Sequence, residues 1–378
     1  MKDVKFENLF QFQKKSKIKA GDGLKLLEGK YPFYTSSDTL TKSTNEYLFD
    51  NESLIFGTGG QASIHYCNEK FAVSTDCFVT QTKNSEEVFL KYIYYYLSGN
   101  IYILENGFKG AGLKHISKDY LQNIEIPLPP LPQQQKIANI LDAADALRQN
   151  DKVLIAKYDE LTQALFLDMF GDPVSNPKGW EKDELKKCTS KIGSGSTPRG
   201  GKETYLTEGI ALIRSLNIYD NEFKYKNLAY ISQEQADKLK NVIVESSDVL
   251  FNITGASVCR CSIVPDDVLP ARVNQHVSIL RPMKEKLSSS FLSHLLISEN
   301  VKIKLLGVGS FGGAVMEAIT KEQLEKIEVI LPSIDLQNQF AERVAVIEEQ
   351  KAIAQKSLEQ SESLFNSLLQ KAFKGELV

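Results

Sequence analysis

Between residues 133 and 171 apolar side chains fall at Ile137, Ile140, Ala144, Leu147, Leu154, Tyr158, Leu161 and Leu165, with Asp151 and Asp168 as exceptions. That 3–4 spacing predicts a helix that lays one stripe against a partner. A broader stripe runs through 336–374, at Phe340, Val344, Ile347, Ala354, Leu358, Phe365, Leu368 and Ala372. The first pattern ends in "FGDP", a glycine and then a proline, the usual helix stop. Each pattern predicts a helix of about 38 residues, roughly 57 Å long at 1.5 Å per residue. Two matched helices of that length favour packing against each other as an antiparallel pair, a spacer. Outside them the pattern is short: β-like runs such as "SLIFGT", "FAVSTDCFVT", "SDVLFNIT" and "HVSILRP" are separated by Gly/Ser/Thr/Asn turns.

The chain repeats itself. "ISKDYLQNIEIPLPPLPQQQ" (116–135) lies on "ITKEQLEKIEVILPSIDLQN" (319–338) without a gap, with eight identities in twenty positions. The pairs include Ile116 with Ile319, Leu121 with Leu324, Pro129 with Pro332 and Gln134 with Gln337. The same offset carries "LTQALFLDMFGD" onto "LFNSLLQKAFKG". Upstream, agreement thins to pattern: "IFGTGGQASIHY" (55–66) is matched by "LFNITGASVCRC" (250–261), each an apolar dipeptide entering a Gly/Ser/Thr turn. Repeats of this kind divide a chain. The expected fold class is α+β: two α/β domains, residues 1–132 and 173–334, separated by two long antiparallel helices, 133–172 and 335–378, with a pseudo-two-fold internal repeat.

Composition adds bounds. Hydrophobic content of 42% and charged content of 25% are those of a soluble globular protein. No apolar run reaches the ~18 residues of a membrane span, and no membrane partner is expected. The N-terminal residues lack an apolar core with a cleavage site, and five cysteines make a disulfide framework improbable, so a cytoplasmic location is expected. The net charge of -3 neither announces nor excludes a nucleic-acid partner, because clustering matters more than the sum.

No catalytic pattern emerges. There is no Asn/Asp-Pro-Pro-aromatic loop of the kind an amino-group methyltransferase uses, and "SGSTPRGGKET" lacks P-loop spacing. Cys259, Cys261 and His276 have no second ligand pair at zinc spacing. The reading is a protein without an active site and without a metal.

"IPLPPLPQQQKIANILDAAD", "LFLDMFGDP" and "SLLQKAFKGEL" closely resemble the conserved regions of the specificity (S) subunit of type I restriction-modification systems. The resemblance covers the whole chain, and "GWEKDELKKCTSKIGSGSTPRGG" also looks like the start of that family's second variable domain. Two departures are that Gly171-Asp172 faces Lys374-Gly375 and that the first copy is richer in proline. The resemblance implies a non-catalytic scaffold whose variable parts are target recognition domains. Each would read one half of a split, asymmetric site on double-stranded DNA. Two modification (M) subunits and the restriction (R) subunits would dock on it. S-adenosylmethionine, ATP and Mg2+ would sit on those partners, and no cofactor on this chain.

Base edges are read by Arg, Lys, Asn, Gln, Ser and Thr positioned through phosphate contacts. In the first domain the candidates are Thr35, Ser36, Ser37, Thr58, Gly59, Gly60, Gln61, Ser63, His65, Lys109 and Lys114. In the second they are Arg199, Lys202, Arg214, Asn217, Thr254, Ser257, Arg260, Arg272, Asn274, Gln275, His276 and Phe311. The rival readings are a fused restriction-methylation enzyme, against which the missing motifs stand, and a free-standing DNA-binding coiled-coil scaffold acting without M subunits.

Overall fold

The computed structural model describes residues 2–198, 200–309 and 318–377. The chain forms two compact units: Met1–Val153 with Gln355–Val378, and Leu154–Ala354.

In the first unit, four antiparallel strands lie in the order Phe10–Phe12, Cys77–Thr82, Ser53–Gly57 and Ile64–Cys67. Every residue of Ser53–Gly57 is buried, which is why "SLIFG" has no polar alternation: it is a central strand covered on both faces. A second sheet runs Leu24–Lys25, Lys42–Thr44, Tyr31–Tyr34 and Ala72–Val73, the last pair parallel. The helix Leu90–Gly99 buries Tyr92, Ile93 and Leu97. They share a core with Phe6, Phe10 and Phe56, with Ile137, Leu141 and Ala144 of the first long helix, and with Phe365 and Ala372 of the second.

The second unit is built the same way. Its antiparallel sheet runs Thr189–Ser194, Val277–Pro282, Val249–Asn252 and Cys261–Ile263. A second sheet runs Ala229–Ile231, Ile210–Ile213, Ala271–Val273 and Ile243–Val244. Phe166 and Phe170, from the far end of the first long helix, pack on Phe291 and Phe340.

The repeated phrase is a joint made in both units. Ser117 and Thr320 cap short helices by accepting from the Tyr120 N–H (3.1 Å) and the Gln323 N–H (3.2 Å). Strands Glu125–Leu128 and Glu328–Ile330 follow, pairing antiparallel with Lys2–Lys5 and Lys182–Glu184 respectively. The Phe6 N–H donates to the Ile124 carbonyl at 2.8 Å, and the Leu185 N–H to the Ile327 carbonyl at 2.7 Å. Each domain is therefore closed by its own first strand and its own copy of the phrase.

The long helices span Leu131–Phe170 and Ile334–Lys374. Within the first unit their segments run antiparallel. Arg148 lies over the Phe365 ring, Lys152 pairs with Glu362, and Asp151 accepts from Ser357 and Ser361. Within the second, Asp159 pairs with Lys351 at 2.5 Å and Arg343 reaches the Met169 sulfur. The expected apolar seam holds at Ile137, Ala144, Phe340, Val344, Ala354, Phe365 and Ala372, all buried. It fails at Leu147, Leu154 and Leu161, which are 53%, 42% and 50% exposed. The middle of the pair is instead closed by hydroxyls and charges, centred on the Asp151 that the apolar pattern could not place.

Candidate nucleic-acid interface

In the first domain the central strand Ser53–Gly57 runs into Thr58-Gly59-Gly60-Gln61-Ala62-Ser63 and returns as Ile64–Cys67. Gly60 has φ +85°, a left-handed conformation that favours glycine. The turn is tied on three sides. The Thr58 N–H donates to the Asp76 carbonyl (2.9 Å), and the Thr58 carbonyl accepts from the Ile116 N–H (3.1 Å). The Gly60 N–H donates to the Lys114 carbonyl (3.3 Å), beside a bridge between Gly59 and His115. A Cβ on Gly59 would lie 3.1 Å from the exposed His115 ring, which would have to shift by a few tenths of an ångström to admit it.

The third tie is to the "YTSSD" loop. The Ser63 hydroxyl donates to the Ser36 carbonyl, the Ser36 hydroxyl to the Asp76 carbonyl, and His65 Nε2 to the Ser37 carbonyl at 2.8 Å. Burial holds the His65 pKa below its usual value, and the Ser37 carbonyl and Asp38 pull it only partly back. Thr35, Ser36, Ser37, Thr58, Gly59, Gly60, Gln61, Ser63, His65 and Lys114 thus form one cluster. Lys109 stands beside it, on the strand Phe108–Lys109 paired with His115–Ile116. Gln61, Lys109 and Lys114 are exposed, whereas Thr58 and Ser63 are buried and shape the turn.

The second domain repeats the closure with different side chains. The Ile319 N–H donates to the Ile253 carbonyl at 2.8 Å, Thr254 bridges Ala318, and Gly255 has φ +74°. These are the counterparts of Ile116–Thr58, Gly59–His115 and Gly60. Thr254, Ser257, Arg260 and His276 line one recess. Lys224 and Arg260 each place a cation 4.5 Å from the centre of the Tyr219 ring. Arg214 lies over Tyr205 and donates to the Asn227 carbonyl; Lys202 is exposed in the turn Gly201–Thr204.

Three candidates are structural as placed. Arg272 is buried, and its guanidinium donates to the Ala236 and Ala271 carbonyls, which corrects its reading as a surface contact. Asn217 is fully buried and closes a turn, accepting from the Arg214 N–H and donating to the Lys224 carbonyl. Asn274 is buried and accepts from the His276 N–H. Arg199 and Phe311 lie outside the described residues. Tyr219 and Lys224 are not among the sequence candidates; the alternation of aromatic and charged residues in "NIYDNEFKYK" is the sequence signal for this stacked group.

Among the described residues no group of His, Cys, Asp or Glu could hold a metal ion, and no helix is long and apolar enough to cross a membrane.

A family model of the type I restriction modification DNA specificity domain matches residues 1–157 and again 177–362. The chain belongs to that family. The MjaVIII specificity subunit of the type I restriction enzyme of Methanocaldococcus jannaschii is 24% identical, over 93% of this chain and 87% of that protein. The EcoBI specificity subunit of Escherichia coli is 27% identical, over 86% and 74%. In fold, the chain is similar to the crystal structure of a type I restriction-modification S subunit from M. genitalium. The TM-score is 0.62 at 17% identity, covering 98% of this chain and 95% of that one. The two family matches each contain one turn with its closure, so both recognition domains of a specificity subunit are present.

Proposed function

We propose that this chain is the sequence-specific DNA-recognition subunit of a type I restriction-modification complex. It reads a bipartite, asymmetric site and is itself non-catalytic. Its partners are double-stranded DNA and the modification and restriction subunits. Two modification subunits carry S-adenosylmethionine, the restriction subunits use ATP and Mg2+, and this chain holds no cofactor. The complex works in the cytoplasm, where the DNA is.

The observation that carries the reading is the duplicated closure. The same main-chain bonds hold a turn of different sequence in each domain, Thr58–Ser63 in one and Ile253–Arg260 in the other. A constant frame presenting unlike polar loops is what reading two unlike half-sites requires. The exposed Gln61, Lys109 and Lys114, and in the second domain the exposed Lys202 and Gln275 with the half-buried Ser257 and Arg260, are the contacts.

The test is a domain exchange. Residues 173–334 are replaced by the second domain of another family member, and the chain is expressed with its modification subunit. Sequencing the methylated sites should show one half of the motif changed and the other retained. Simultaneous change of both halves would refute modular reading, and methyl transfer by the purified chain alone would refute the non-catalytic role.

A further inference from the structure

Asn274-Gln275-His276 links the strands Ala271–Val273 and Val277–Pro282. Its backbone is pinned independently of the Gln275 side chain. The Asn274 N–H donates to the Ile213 carbonyl (3.1 Å), the Asn274 carbonyl accepts from the Gly195 N–H (3.1 Å), and the His276 carbonyl accepts from the Ile253 N–H (3.0 Å). Gln275 is exposed, yet both ends of its amide are engaged. The Thr197 hydroxyl donates to Oε1, and Nε2 donates to His276 Nε2 at 3.1 Å. An amide nitrogen only donates, so His276 Nε2 is the acceptor and the ring proton sits on Nδ1. That proton faces the Thr254 hydroxyl at 2.6 Å. The chain of bonds runs one way, from Thr197 through Gln275 and His276 to Thr254.

An exposed glutamine ordinarily rotates, and fixing one costs side-chain conformational entropy. Folding does not require it here, because the tripeptide is already held. What the fixation leaves on this exposed amide is one unengaged N–H and one unengaged oxygen lone pair, coplanar and in a fixed order. Adenine presents the complementary pair in the major groove, an N6 amino donor and an N7 acceptor. Guanine presents two acceptors there, which the amide oxygen would oppose.

We infer that Gln275 reads an adenine in the half-site of the second domain, with Thr197 and His276 as positioning residues that hold its amide. The inference rests on the DNA-reading role proposed above and names the base. Arg260, which shares the recess with His276, supplies positive charge beside the contact.

The test uses the whole chain expressed with its modification subunit, followed by sequencing of methylated sites. Gln275→Glu keeps the size but replaces the donor, and a carboxylate accepts from cytosine N4. One position of the second half-site, held to adenine by the natural chain, should relax, with cytosine gaining roughly 10-fold or more. The first half-site should be unchanged, which also shows that the variant folds. Thr197→Val should lower discrimination at that same position by roughly 5- to 50-fold, and Thr197→Ser should restore it. An unchanged second half-site in Gln275→Glu, or a change at a position that is G·C in the natural motif, overturns the assignment. Slower methylation of every site by Thr197→Val, with base preference intact, removes its positioning role. A natural chain that yields no split methylated motif overturns the parent reading, and this one with it.

Discussion

Gln134 and Gln337 stand 203 residues apart and make the same three hydrogen bonds. Gln134 donates to the Glu87 and Pro129 carbonyls and accepts from the Phe89 N–H, all at 2.8 Å. Gln337 donates to the Lys286 and Pro332 carbonyls at 3.0 and 2.9 Å and accepts from the Ser288 N–H at 2.9 Å. Both are fully buried in the first turn of a long helix, where they tie it to the segment entering the helix Leu90–Gly99 or Ser289–Ile297.

Replacing either glutamine with leucine leaves two carbonyls and one N–H without partners, and a loss of about 2–4 kcal/mol is expected for each variant. The two losses should agree within roughly 1 kcal/mol, since the bonds are the same. Urea unfolding followed by circular dichroism measures both. A loss under about 0.5 kcal/mol would mean that the joint does not depend on the clamp.

His294 gives the second unit a dependence on pH. Its ring is buried against Phe340, centroids 5.1 Å apart, and Nδ1 donates to the Ser290 carbonyl at 2.8 Å. Burial lowers its pKa from 6.5 to about 4. The unfolded chain therefore takes up this proton near pH 6.5 and the folded chain only near pH 4. Stability from this group is complete above the higher value and is lost as pH falls through that window, by at most about 3 kcal/mol. His294→Gln should flatten that part of the profile in unfolding curves taken at several pH values. Parallel losses in the natural chain and the variant would assign the effect to other groups.

Lys114 is exposed, and its main-chain carbonyl, not its side chain, holds Gly60. Lys114→Gln should therefore leave the turn intact and weaken DNA binding evenly across sequences. The slope of log affinity against log salt should fall by about one. A change of preference at one base pair, with the salt slope intact, would make Lys114 a base reader and not a phosphate contact.

The long helices can be tested as a ruler. Seven residues inserted between Val153 and Leu154, and seven between Ala354 and Gln355, fall where the two units divide and keep both helical stripes in phase. Each helix lengthens by roughly 10 Å at 1.5 Å per residue. On B-DNA that is about three base pairs, with a rotation of roughly 100° that the complex must absorb. Methylation of substrates differing only in spacer length should be weaker and shifted to the longer spacer. An unchanged spacer preference in an active variant would make the helices a docking surface only.

Much of this was legible in the residues, for identifiable reasons. The turn "GTGG" and the turn "ITGA" share a glycine that must be left-handed, and backbone need of that kind survives when side chains diverge. The repeat of "IEI" and "IEV" was legible, but their being strands was not, because each pairs with the distant start of its own domain. Gln134 stands out in the sequence only as a repeat identity with Gln337; that it is a buried clamp was not legible, because helix phase and the carbonyls it meets decide that. Arg272 misled because a long cation can be spent on carbonyls as easily as on phosphates. Leu147, Leu154 and Leu161 misled because a heptad pattern states what could be buried, whereas the side chains that close the helix segments are Asp151 with Ser357 and Ser361, and Asp159 with Lys351.

The closure of each reading turn is written in main-chain atoms. In the bond common to both domains, Thr58 and Ile253 give a carbonyl and Ile116 and Ile319 an N–H; the His115 ring adds a second bond to the Thr58 carbonyl in the first domain. No side chain at either turn position has to be remembered for the joint to form. A recombination event that crosses within the repeated phrase would therefore deliver a foreign domain whose turn already fits the waiting N–H. New DNA specificities can then arise by exchange of whole cassettes, without a period of compensating substitutions at the seam.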